Sequence, residues 1–224
     1  MDGTNNSPQK TKWMIAGIIL VIIVLAVIAI VQATHSARTH NLSSNQPATA
    51  TAATTASGTT KPMEYSQATF HTSMGDFTIA FDPQLAPNTV ANFVKLASSG
   101  FYDKVKFHRI IAGFMIQGGD PLSKDDAKQS LWGTGGPGYQ FNDEITSASK
   151  NVIGAVAMAN SGPNTNGSQF FVNVANNDYL DGHYSVFAHV TSGMDIVEAM
   201  SKVKTSPLND QPITPVVIES ITLK

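Results

Sequence analysis

Phe107-His108-Arg109-Ile110-Ile111-Ala112-Gly113-Phe114-Met115-Ile116-Gln117-Gly118-Gly119-Asp120 sets one permanent cation in an otherwise apolar run, with an aromatic, a thioether and an amide side chain close behind. A strand sends alternate side chains to the same face, so Arg109 and the residues around Gln117 can be gathered on one surface. A guanidinium beside an apolar slot is a fixed donor next to a dry wall. It suits a ligand that joins an apolar ring to a polar amide, and a prolyl peptide has that form.

A second dense segment lies downstream: Met158-Ala159-Asn160-Ser161-Gly162-Pro163-Asn164-Thr165-Asn166-Gly167-Ser168-Gln169-Phe170-Phe171. A strand runs into a Gly/Asn/Pro loop and emerges as another strand. Asn160 and Gln169 offer amide donors and acceptors. Phe170 and Phe171 must point to opposite faces, so one can line a site while the other packs in the core.

The surrounding texture is that of a β protein. Ala68–Thr72 and Asp76–Phe81 read as strands joined at Ser73-Met74-Gly75, a hairpin signal. Pro87–Ala97 carries apolar residues at helical spacing, opens on proline and stops before Gly100. Further strands are predicted at Lys106–Ile111, Phe114–Gln117, Val152–Ala159, Gln169–Val174, Val186–Val190 and Val216–Leu223, and a second helix near Met194–Met200. Many short strands with two helices point to a mainly β fold, a closed or nearly closed antiparallel barrel with helices over its ends.

Residues 1–64 have a different composition. Met14 to Val31 is an uncharged run of 18 residues, almost all Ile, Val, Leu and Ala. As a helix it would be about 27 Å long, close to the hydrocarbon thickness of a bilayer. Trp13 sits at its edge, and Lys10 and Lys12 precede it, which puts the N-terminus in the cytoplasm. Cleavage as a signal peptide after Val31-Gln32-Ala33 is the competing reading, but the run exceeds the usual apolar region of about 7–15 residues. A Thr/Ala/Ser-rich stretch without apolar periodicity follows and reads as a disordered tether. The expected organisation is a cytoplasmic segment at 1–12, a transmembrane signal-anchor at 13–32, a disordered linker at 33–64 and a folded domain at 65–224. The expected location is the cell membrane, single-pass, with the domain outside the cytoplasm.

Charge and composition exclude several classes. Lys+Arg 14 against Asp+Glu 16 gives a formal charge of -2, which argues against a nucleic-acid surface. The absence of cysteine removes thiol catalysis, thiolate metal sites and disulfides. His71, His183 and His189 show no metal-ligand spacing, and no cofactor is expected. Lys124, Asp125, Asp126 and Lys128 lie in an excursion, Leu122 to Trp132, read chiefly as a solvated loop beside the site. Asp143-Glu144 is read as capping or pairing locally.

Taken together, Phe107–Asp120, Gly133-Thr134-Gly135-Gly136-Pro137-Gly138-Tyr139, Met158–Phe171 and Tyr179-Leu180-Asp181-Gly182 resemble, in order, the motifs of the cyclophilin family of peptidyl-prolyl cis–trans isomerases. The resemblance spans about residues 66–224. It implies a closed eight-stranded antiparallel barrel capped by two helices, with a groove on one face. It implies Arg109 as the catalytic arginine, and Phe114, Met115, Phe171 and Leu180 as walls of a proline pocket. Gln117, Ala159, Asn160 and Gln169 match positions that hold the peptide backbone, and His108 flanks the groove. Tyr179 and Tyr184 stand where a tryptophan and a histidine are common, in the manner of bacterial-type members, and keep the site aromatic. The implied activity is isomerisation of Xaa-Pro bonds without a cofactor; the anchor read from composition makes folding extracytoplasmic proteins the expected substrates, and a monomer is expected. A rival reading is a non-catalytic module, or holdase, that grips proline-containing segments in the same groove.

Overall fold

The computed structural model describes residues 65–224. The expected cytoplasmic segment, signal-anchor and linker lie outside the described residues. Among the described residues, no helix is long and apolar enough to cross a membrane.

Eight strands form one antiparallel sheet: β1 (Gln67–Thr72), β2 (Gly75–Phe81), β3 (Arg109–Ile111), β4 (Met115–Gly118), β5 (Ala155–Met158), β6 (Phe170–Asn173), β7 (Val186–Ser192) and β8 (Ile218–Leu223). Their order across the sheet is β3-β4-β6-β5-β7-β2-β1-β8. Helix α1 (Pro87–Ser98) follows β2, and α2 (Met194–Ser201) follows β7.

The expected full closure is corrected by the seam. No ladder joins the edge strands β3 and β8, and the sheet is a curled half-barrel. The chain just ahead of each makes a single bridge, Lys106 to Val217. Flanking it, Phe107 N–H donates to the Val216 carbonyl at 2.9 Å and Ile218 N–H to Val105 at 2.8 Å. Two predicted strands are therefore shorter than their apolar runs. Lys106–Phe107 belongs to the seam, while Val152 and Ile153 are exposed ahead of a left-handed Gly154.

The alternation of side chains produces two apolar clusters, one on each face. Ile110, Ile116, Val156, Met158, Phe170 and Val172 point inward and join the main core. Met115, Ala157, Phe171 and Val186 point outward and form a second cluster. Phe93 of α1 sits at the centre of the main core, with ring centroids 5.0 Å from Tyr102, 5.3 Å from Phe187 and 5.9 Å from Phe170. Helical spacing brings Val90, Phe93 and Ala97 to that face together.

No side chain within α1 caps its N-terminus. Glu144 does so from across the chain, accepting the Asn88 N–H at 3.1 Å and the Thr89 N–H at 2.7 Å. Of the capping or local pairing expected for Asp143-Glu144, Glu144 makes the cap, over a long range, and Asp143 accepts from Asn164 N–H at 2.8 Å.

Candidate active site

Antiparallel register lines up the outward residues. Arg109 of β3 is opposite Gln117 of β4, and Gln117 is opposite Phe171 of β6. Met115 lies two residues from Gln117 on the same face. The row therefore runs cation, amide, aromatic, with a thioether beside it. Phe114, Leu180 and Tyr184 pack over this outer cluster from the loops. Together Arg109, Phe114, Met115, Gln117, Ala159, Asn160, Phe171, Leu180 and Tyr184 line a cavity of about 180 Å³. The Phe171 and Tyr184 rings meet edge to face, centroids 5.3 Å apart.

Below the cavity, a buried amide network fixes the wall. Asn177 Nδ2 donates to Asn173 Oδ1 at 2.6 Å and to the Phe114 carbonyl at 3.0 Å. Asn173 Nδ2 donates to the Ala155 carbonyl at 3.1 Å. The turn carrying Leu180 is held by Asp181, whose Oδ1 accepts the Asn151 N–H at 2.9 Å. That N–H first, and Lys150 next, hold the Asp181 carboxyl below the usual carboxylate range. The sequence reading missed these asparagines. Their signal was the density of amides in Asn173–Asp178, which composition alone reads as a turn.

A wider groove of about 750 Å³ adjoins the cavity, lined by Gln117, Gly133 to Gln140, Ala159 to Ser161 and Gln169 among others. Gln169 ties its two walls together. Its Nε2 donates to the carbonyls of Gly133 and Gly135 at 2.9 and 2.8 Å, and its Oε1 accepts from Gln117 Nε2 at 3.0 Å. Gln169 thus positions Gln117 and the glycine loop, while Asn160 is braced by Nδ2 donating to the His183 carbonyl at 3.1 Å.

Two named residues do not line the smaller cavity. Tyr179 is exposed and does not line the cavity; its ring stacks on Phe114 from outside, centroids 6.1 Å apart. His108 precedes β3 and is buried, 3% exposed, with its ring close to Gly133 of the wider groove's lining. Neither of its ring nitrogens makes a hydrogen bond of ordinary geometry within the protein. Burial lowers its pKa, outweighing the raising influence of Asp120. In the unfolded chain the value is about 6.5, so the unfolded state binds more protons just below that pH. The stability carried by neutral His108 is complete above that value and declines as pH falls through and below it. Between pH 7 and 5 the urea midpoint of wild type is expected to fall more than that of His108→Gln. Equal falls would show that His108 is not the group responsible.

The excursion from Leu122 to Trp132 is anchored at both ends and exposed between them, from Lys124 to Leu131. Ser123 is buried, its hydroxyl donating to the Asp120 carbonyl at 2.6 Å. Lys106 Nζ pairs with Asp126 and lies 4.7 Å from the centre of the Trp132 ring. Among the described residues no group of three His, Asp or Glu side chains could hold a metal ion.

Comparison with known proteins agrees with this geometry. Residues 67–223 match the model of the family described as cyclophilin type peptidyl-prolyl cis-trans isomerase/CLD. The chain is similar to peptidyl-prolyl cis-trans isomerase A of Mycobacterium tuberculosis, 44% identical over 185 residues, covering 74% of this chain and 96% of that protein. It is also similar to peptidyl-prolyl cis-trans isomerase CYP18-1 of Arabidopsis thaliana, 42% identical over 156 residues, covering 69% of this chain and 94% of that protein. Among solved structures, a Cryptosporidium parvum cyclophilin type isomerase, crystallised in the presence of the dipeptide Ala-Pro, matches with a TM-score of 0.65 and 31% identity. The match covers 70% of this chain and 98% of that one.

Proposed function

Because the chain belongs to the cyclophilin-type peptidyl-prolyl cis–trans isomerases, we propose that Arg109 drives its reaction by stabilising the twisted Xaa-Pro amide. The observation that carries this reading is the shared cavity, in which a guanidinium adjoins the apolar walls Phe114, Met115 and Phe171. Rotation about a peptide bond faces a barrier of about 18–20 kcal/mol because the nitrogen lone pair is delocalised onto the carbonyl. Twisting localises that lone pair on the proline nitrogen. A cationic donor aimed there binds the twisted form more strongly than either planar form, and only such differential binding accelerates the step. The apolar walls hold the ring while the acyl side swings. Gln117 and Asn160, braced by their hydrogen bonds, hold the peptide on the polar side. No covalent bond breaks and no proton moves. The relative crystallised with Ala-Pro supports proline-containing peptides as the ligand.

The reading extends to location. Residues 13–32 act as a signal-anchor and 33–64 as a tether, so the enzyme serves proteins folding outside the cytoplasm. The uncharged run of 18 residues behind Lys10 and Lys12 supports this. Proline isomerisation takes about tens to hundreds of seconds uncatalysed, slow enough to limit folding.

The test is an isomerase assay on a proline tetrapeptide. Arg109→Ala is expected to lower kcat/KM by about 10²–10³-fold. Arg109→Lys keeps the charge but not the planar fork, and is expected to recover less than about tenfold of that. Activity of Arg109→Ala within about twofold of wild type would overturn the arginine mechanism. For the location, the full chain should remain in carbonate-washed membranes and its domain should be digested by protease added to intact spheroplasts. Recovery in the soluble cytoplasmic fraction would overturn that part alone.

A further inference from the structure

We infer that Asp210 is a positioning residue for Arg109, holding the guanidinium at the rim of the cavity from a loop about a hundred residues away in sequence. Its carboxylate approaches Arg109 most closely at Nε, with Oδ2 at 3.5 Å. Its backbone acts on the same strand: the Asp210 carbonyl accepts the Ile110 N–H at 2.9 Å. Strand β3 is the edge of the sheet, and Ile110 follows Arg109 directly. One residue therefore satisfies an edge N–H and faces the side chain next to it.

The loop that carries Asp210 is closed on itself. Thr205 and Pro212 form a bridge, Ser206 N–H donates to the Gln211 carbonyl at 2.8 Å, and Asp210 N–H donates to Ser206 at 3.0 Å. Asp210 adopts a left-handed backbone, φ 57, which among non-glycine residues aspartate and asparagine tolerate best. Gln211 Nε2 donates to the Gln129 carbonyl at 3.2 Å, tying the loop to the Leu122–Trp132 excursion. The carboxylate is thus presented from a braced turn.

Both partners are partly exposed, so the pair contributes little to folding. Its effect lies in geometry. An arginine has many rotamers, and a contact at Nε restricts them while leaving the terminal nitrogens to the substrate. Misplacing a catalytic group by about 1 Å can lower a rate by roughly 10²-fold, so losing this restraint reaches kcat first.

This inference rests on Arg109 acting on the amide, and the experiment separates the two. Asp210→Asn keeps the left-handed backbone and the carbonyl that accepts from Ile110, and removes the charge. It is expected to lower kcat by about three- to tenfold with KM and Tm near wild type. In an Arg109→Ala background the same substitution is expected to have no further effect, since the side chain it positions is gone. Rising salt should lower kcat of wild type toward that of Asp210→Asn, and leave the variant unchanged. An Asp210→Asn enzyme with wild-type kcat, or an equal loss in the Arg109→Ala background, overturns the positioning role. If Arg109→Ala itself is fully active, it is the arginine mechanism that has failed.

Discussion

Gly119→Ala is expected to destabilise the domain by about 2–5 kcal/mol and to raise KM. Gly119 sits at φ 91, where a side chain brings a left-handed penalty of about 1–2 kcal/mol. The added Cβ would overlap the Ser168 carbonyl oxygen and lie 2.8 Å from Gln169 Cα. Both obstacles are backbone, so no rotamer change relieves them, and overpacking of this kind costs about 1–3 kcal/mol. The strand next to it must move, and with it the Ser168 hydroxyl that donates to the Gly119 carbonyl at 2.7 Å. Because Gln169 follows Ser168, the shift carries its amide away from Gly133, Gly135 and Gln117. In a domain of this size the middle of that range lowers Tm by roughly 10 °C. Gly113→Ala is the control: φ is 70, and no atom lies within 4 Å of its Cβ. It should show the backbone penalty alone, with an unchanged KM. Thermal melts and peptide kinetics on the two variants would distinguish them, and equal Tm losses would refute the steric account.

The legible part of the site is the part that follows from alternation and contiguity. Met115 and Gln117 share a face because they are spaced by two within β4, register sets Arg109 opposite Gln117, and Phe170 and Phe171 divide between core and cavity by alternation. The same rule does not reach His108, which precedes β3. Its neighbour Phe107 is in the main core, so alternation breaks there, and His108 is buried near Gly133, a contact distant in sequence. Tyr179 stands at the cavity's outer side because a short helical turn, Asp178–Leu180, sends consecutive side chains about 100° apart or more, so Leu180 enters the cavity while Tyr179 stacks on Phe114 outside it. What sequence could not give was long-range pairing. Glu144 capping α1, the single-bridge seam and Asp210 beside Arg109 join segments far apart in the chain, and no local pattern encodes such contacts.

Asp120→Ala is expected to destabilise the domain by about 2–4 kcal/mol and to weaken peptide binding without touching the cavity itself. Asp120 is fully buried, and its carboxylate organises the glycine loop. Oδ1 accepts the Leu122 N–H at 2.7 Å, and Oδ2 accepts the N–H groups of Gly133 and of Gly135, the latter at 3.1 Å. Removing the acceptor strands these donors, at about 1–3 kcal/mol for each that water cannot reach. Gly133 is exposed, so its N–H can turn to solvent and the total stays below the sum. The functional effect travels one step further. The Gly133 and Gly135 carbonyls fix Gln169, and Gln169 fixes Gln117, so slack in the loop reaches the amides lining the groove through two hydrogen-bonded links. KM should rise by about three- to tenfold while kcat at saturation changes little, since Arg109 and the apolar walls stay in place. Asp120→Asn should fall between wild type and alanine: an amide keeps one acceptor oxygen but turns an NH₂ toward a backbone donor. A wild-type KM in a well-folded Asp120→Ala protein would mean that the glycine loop does not govern the groove. A loss of kcat equal to the rise in KM would mean that the disturbance reaches Arg109 as well.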